Sequence, residues 1–64
     1  MQNKVEELRK ISGLSQTALG QIVGVSRQTI GYIENDRFNP SLSLAFKISR
    51  YFERPIEDIF TYED

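Results

Sequence analysis

The sequence predicts an all-α domain, a compact bundle of five helices, and three observations carry that expectation. Apolar residues recur at three-to-four spacing in short blocks along most of the chain, the period of a helix with one buried stripe. Ser15, Ser26 and Ser41 stand immediately before three of those blocks, where a side-chain oxygen can accept from the free amides of a first helical turn. The connections between blocks are only a few residues long, as a small bundle requires. With 64 residues, the chain makes one domain near the lower size at which a chain folds alone, burying about 60% of its unfolded surface. It has no cysteine and no histidine, so neither disulfides nor the usual zinc ligands supplement the core. Stability must come from packing, capping and association.

The first helix is expected from about Lys4 to Ser12, with Val5, Leu8 and Ile11 as its buried stripe. Gly13 ends it, Leu14 joins the core, and Ser15 opens the second helix at once. From Gln16 to Glu34 run two short segments, with Leu19, Ile22 and Val23 in the first and Ile30 and Ile33 in the second, separated by Gly24-Val25-Ser26. Neither Ser15 nor Ser26 has the Glu or Gln three residues on that would complete a capping box. Gly24 suits the left-handed backbone of a sharp stop. Gly20, in mid-helix, costs roughly 1 kcal/mol against alanine, which a close crossing of the next helix at a steep angle would offset. These are the marks of a helix-turn-helix.

Asn35-Asp36-Arg37-Phe38-Asn39-Pro40 reads as a loop. Ser41 then caps a fourth helix, about Leu42 to Phe52, whose Leu44, Ala45, Ile48 and Phe52 form one face. Leu42 and Phe46 widen that apolar sector, with Tyr51 at its margin. Arg54-Pro55 breaks the pattern, and proline suits the first turn of a short fifth helix, about Ile56 to Phe60. Glu57 and Asp58 lie favourably near its positive end. The closing Thr61-Tyr62-Glu63-Asp64 either frays or pairs as a short strand with Met1 to Asn3.

The spacing of Gln16, Leu19, Gly20, Gly24, Val25, Ile30 and Ile33 resembles the helix-turn-helix of the phage repressor and Cro type, the Xre family of small transcriptional regulators. The resemblance extends through ELRKISGLSQ before the motif and IENDRFNPSLSLAFKISRYF after it, covering nearly the whole chain. It implies a single DNA-binding domain over residues 1–64, with the motif at 16–34 and a dimerisation element at about 56–62. Some regulators of this kind also pair their termini as a short β-ladder.

An α-helix fits the major groove of B-DNA with its first residues against base edges. Those residues here are Ser26, Arg27, Gln28 and Thr29, followed one turn later by Gly31 and Tyr32. Arg27 can pair two-pronged with guanine and Gln28 with adenine, each worth about 1 to 3 kcal/mol of discrimination. Outside such a motif the same residues would be an ordinary solvated face. The resemblance implies base contacts at Arg27, Gln28 and Tyr32, and Ser26 is placed with them; Tyr32 could equally cover the junction between helix and loop. Backbone contacts are expected from Gln16, at a helix amino end that favours anions, and from Thr29, Asn35, Arg37 and Asn39. Asp36 departs from the glycine or lysine usual at its position, and a carboxylate there would repel phosphate. The resemblance further implies a scaffold salt bridge between Arg9 and Glu34. It also implies a two-fold dimer through Ile56, Ile59, Phe60 and Tyr62, unless these residues complete the core of a monomer.

The net charge of −1 conceals an asymmetry: residues 1–52 hold seven basic against four acidic groups, whereas residues 53–64 hold one against five. The basic excess therefore lies with the motif. No apolar run approaches the ~20 residues of a membrane span, and the amino terminus lacks a signal-peptide core, so a cytoplasmic protein with no membrane partner is expected. No histidine, cysteine nucleophile or glycine-rich phosphate loop suggests an enzyme, and the caps are the better use of the serines. No cofactor and no small-molecule ligand within the chain are expected. The reading is a homodimeric repressor that binds a palindromic operator in double-stranded DNA. The alternative is a DNA-binding antitoxin or a protein-binding adaptor whose acidic carboxyl end docks a basic partner.

Overall fold

Helices account for most of residues 1–63, the part of the chain described by the computed structural model; Asp64, counted above with the acidic end, lies outside the described residues. In order the elements are β1 (Gln2–Asn3), α1 (Val5–Ile11), α2 (Gln16–Val23), α3 (Arg27–Glu34), α4 (Leu42–Phe52), α5 (Ile56–Ile59) and β2 (Phe60–Thr61). The five expected helices are present, and the termini pair rather than fray. The ladder is antiparallel, with Gln2 opposite Thr61 and Asn3 opposite Phe60. It thus begins one residue earlier on the carboxyl side than expected, because Phe60 leaves α5 in extended conformation. Lys4 extends the tie by donating its amide to the Ile59 carbonyl at 2.8 Å.

All three serines cap as their positions predict. Ser15 Oγ accepts from the Ala18 amide, Ser26 Oγ from Thr29 and Ser41 Oγ from Leu44, at 3.0 to 3.1 Å. The carboxyl ends of the first four helices share a second device, a residue in the left-handed region: Gly13, Gly24, Asp36 and Glu53. At α3 this closes a full Schellman motif, with the Arg37 amide donating to Tyr32 O and the Asp36 amide to Ile33 O. The glycines are legible in the sequence, whereas Asp36 and Glu53 carry a side chain into a conformation that disfavours one.

Gly20 serves a close approach, but to a different element from the one expected. A Cβ there would lie 2.5 Å from the Val25 carbonyl oxygen. The backbone of the turn, rather than the body of α3, is what lies against α2. The Gly20 carbonyl also accepts the amides of Gly24 and Val25. The sharp turn is therefore packed and hydrogen-bonded onto the helix that precedes it.

The core gathers Val5, Leu8, Leu19, Val23, Ile30, Ile33, Leu44, Ala45, Ile48, Ile59 and Phe60, with Leu14, Val25, Phe52 and Ile56 packed around it. Several expected core residues fall outside. Ile11 is 76% exposed, because the buried stripe of α1 runs through Val5, Leu8 and Arg9 and Ile11 lies beyond its edge at about 100° per residue. Ile22 is similarly displaced from Leu19 and Val23 and is exposed. Leu42 and Phe46 do not widen the buried sector of α4; they lie on its far side, in solvent, and Tyr51 is also exposed.

Candidate nucleic-acid interface

α3 is held from behind before it presents anything in front. Ile30 and Ile33 are fully buried, and α2 and α3 share the most extensive contact between any two elements. At the far end of α3, the Glu34 side chain is 1% exposed and meets Arg9 in a two-pronged pair, Nε to Oε2 at 2.6 Å and Nη2 to Oε1 at 3.2 Å. The hydrogen bond to Glu34 raises the affinity of the Arg9 guanidinium for its proton, against the opposing effect of burial. Arg9 Nη1 also donates to the Leu14 carbonyl at 2.9 Å, so one side chain ties α1, the α1–α2 turn and α3. A buried charge is tolerated only when so satisfied.

Gln16 belongs to this network as well as to the expected DNA face. Its Nε2 donates to Glu34 Oε1 at 2.9 Å, and its carboxamide lies beside Gly31, where a Cβ would meet it at ordinary contact distance, 3.6 Å or more. One of its two amide hydrogens is thereby committed to the scaffold, and the other, with Oε1, remains for a ligand. This double use left no signal in the sequence, because it depends on the crossing of α2 over α3.

On the opposite face, Arg27, Gln28 and Tyr32 are exposed. Gln28 Nε2 donates to the Tyr32 hydroxyl at 2.9 Å, the reach of an i,i+4 pair. Tyr32 therefore does more than cover the helix end: it steadies the carboxamide one turn before it. Ser26 is differently employed. Its hydroxyl caps the Thr29 amide and lies 3.1 Å from Thr29 Oγ1, so both hydroxyls are engaged at the helix start. Gln16, Ser26, Arg27, Gln28, Gly31, Tyr32 and Asn35 line one shallow surface depression. The structure thus gathers the expected base readers with Gln16 and Asn35. Arg27 and Arg37 enter no ion pair among the described residues, leaving both guanidinium groups open to an anion.

Asn35, Arg37 and Asn39 sit exposed on the loop after α3, and Thr29 is half-buried. Asp36, whose carboxylate is expected to repel phosphate, is exposed, and its Oδ1 accepts from Asn3 Nδ2 at 3.0 Å. Of the four residues expected to form a dimer, Ile59 and Phe60 are buried within the single chain at 1% and 7% exposure. They complete the core, the second of the two expected uses. Ile56 is half-buried and Tyr62 is 80% exposed. No described helix is long and apolar enough to cross a membrane.

Comparison with known proteins points the same way. The family model described as helix-turn-helix matches residues 5–59. The uncharacterized HTH-type transcriptional regulator MJ0272 of Methanocaldococcus jannaschii is 52% identical over 64 residues, spanning 100% of this chain and 97% of its own length. The uncharacterized HTH-type transcriptional regulator YgzD of Bacillus subtilis is 50% identical, with the same coverage of both chains. Among solved structures, the restriction-modification controller protein C.AhdI of Aeromonas hydrophila superposes with a TM-score of 0.79 at 30% identity, covering 89% of this chain and 86% of its own. With a motif of this geometry and relatives along its whole length, the chain belongs to the DNA-binding helix-turn-helix family of the Xre/Cro-like kind.

Proposed function

We propose that this protein is a sequence-specific transcriptional regulator, a homodimeric repressor that reads a palindromic operator through the major groove. The observation that carries the reading is the division of α3. Its inner side and end are anchored by Ile30, Ile33 and the Arg9–Glu34 pair, while Arg27, Gln28 and Tyr32 stand together on the outer side. A helix so held can enter a groove without rearranging. In this reading Arg27 and Gln28 address base edges, Tyr32 orients Gln28, and Gln16, Asn35, Arg37 and Asn39 address phosphates. Ser26 and Thr29 shape the helix start and approach the backbone through it. Relatives named as transcriptional regulators and a structural neighbour named as a controller protein support this assignment.

Two copies related by a two-fold axis would set their α3 helices about 34 Å apart, in successive major grooves. Ile56 and Tyr62 are what the expected dimer element offers at the surface, next to the ladder that closes the fold. The reading is of a binding protein working in the cytoplasm, with no chemistry of its own.

Selection of bound duplexes from a randomised pool, with affinity followed against salt, tests this. A palindromic consensus with half-sites one helical turn apart is the expected result. Binding without enrichment, confined to low salt, would overturn the sequence-specific reading and favour a protein partner.

A further inference from the structure

Asn3 stands in β1, before any residue expected to serve DNA, yet its side chain ends at the loop that follows α3. Its Nδ2 donates to the Ile33 carbonyl at 2.8 Å and to Asp36 Oδ1 at 3.0 Å. Its Oδ1 accepts the Val5 amide at 3.0 Å, opening α1. In the ladder, Asn3 faces Phe60. A single carboxamide thus spends both amide hydrogens on the end of α3 and its oxygen on α1, while its backbone is fixed by the carboxyl-terminal strand.

The place where it holds α3 matters. Asp36 is the left-handed residue of the α3 cap, at a φ of 59°, a conformation that side chains disfavour and that Asp adopts more readily than most. Ile33 O also receives the Asp36 amide, so both atoms that Asn3 grips belong to the cap. Arg37 is the next residue, and its amide closes the same cap onto Tyr32 O. Whatever steadies Asp36 therefore sets the direction in which Arg37 leaves the helix. The Asp36 carboxylate is also held toward β1 by the hydrogen bond from Asn3.

From these contacts we infer that Asn3 is a positioning residue for DNA binding, aiming Arg37 through Asp36 and making the phosphate-facing loop depend on the paired termini. The inference rests on the DNA-binding reading above. It assigns Asn3 no contact with DNA.

Asn3→Asp tests it more cleanly than Asn3→Ala, because it keeps the oxygen that accepts from Val5 while removing both donors and setting a carboxylate against Asp36. Affinity for the selected operator should weaken roughly three- to tenfold, the effect of one lost hydrogen bond, with no change in base preference. The slope of log affinity against log salt should flatten by about one unit, the mark of one lost phosphate contact. Adding Asp36→Asn restores a donor facing an acceptor, and part of both losses should return. Wild-type affinity and slope in Asn3→Asp, or no recovery in the double variant, would overturn the inference.

Amide hydrogen exchange at Arg37 in the free protein separates this inference from the reading it rests on, since it requires no DNA. Faster exchange in Asn3→Asp supports the tether. Unchanged exchange overturns it, however well the wild-type protein binds DNA. A wild-type protein that selects no duplex overturns the DNA reading, and with it the role of the tether in binding.

Discussion

The two faces of α3 are built on opposite terms. The inner face and carboxyl end are over-determined: Ile30 and Ile33 are buried, Glu34 answers both Arg9 and Gln16, and the cap that follows is gripped by Asn3. The outer face, one or two residues away along the same helix, carries Arg27 and Gln28 in solvent, with the Gln28–Tyr32 hydrogen bond joining its side chains. On a helix of eight residues, the side chains that anchor the fold are thus distinct from those proposed to read DNA. Residues on the inner face should govern unfolding, and residues on the outer face should govern only what is bound.

The largest effect is expected at Glu34. Glu34→Ala strands the buried Arg9 guanidinium and frees the Gln16 carboxamide, and should destabilise the fold by about 3–5 kcal/mol, read from urea unfolding. A loss below about 1 kcal/mol would mean that water already screens the pair. Gly20→Ala comes next, because its new Cβ meets the Val25 carbonyl at 2.5 Å. The turn must shift, and a loss of about 1–3 kcal/mol is expected despite alanine's better helix propensity.

A smaller effect of opposite sign is expected at the end of α4. Glu53 adopts a φ of 56° and, unlike Asp36, makes no side-chain hydrogen bond among the described residues. Relief of the strained conformation outweighs the extra freedom of glycine when unfolded, so Glu53→Gly should raise stability by up to about 1 kcal/mol. Arg37→Ala lies at the low end for folding, within about 0.5 kcal/mol of the parent. It should nevertheless flatten the salt dependence of DNA binding by about one unit of slope. An unchanged slope would remove Arg37 from the phosphate contacts.

Much of this division is legible in the residues themselves. The serine caps, the glycine turn and the apolar periods place all five helices, and the resemblance of the motif region implies the Arg9–Glu34 pair. Period alone misplaces Ile11, Ile22, Leu42 and Phe46, because each is apolar at helical spacing yet lies outside the sector its neighbours bury. The pairing of Asn3 with Asp36 spans 33 positions and has no local signature. Gln16 reads as a phosphate contact because its place at a helix start is visible in sequence, whereas its bond to Glu34 exists only once α2 and α3 cross. Ile59 and Phe60 show the same limit: an apolar cluster announces burial, and only the fold decides whether its own chain supplies the cover.

The most direct test of the separation is to measure Gln28→Ala twice, by urea unfolding and by binding to a set of operators varied one base pair at a time. The expected result is an unfolding free energy within about 0.5 kcal/mol of the parent, together with loss of about 1–3 kcal/mol of discrimination at one base pair per half-site. Equal weakening on every operator would contradict it and reassign Gln28 to the DNA backbone. A large loss of stability would show that the outer face of α3 also holds the fold.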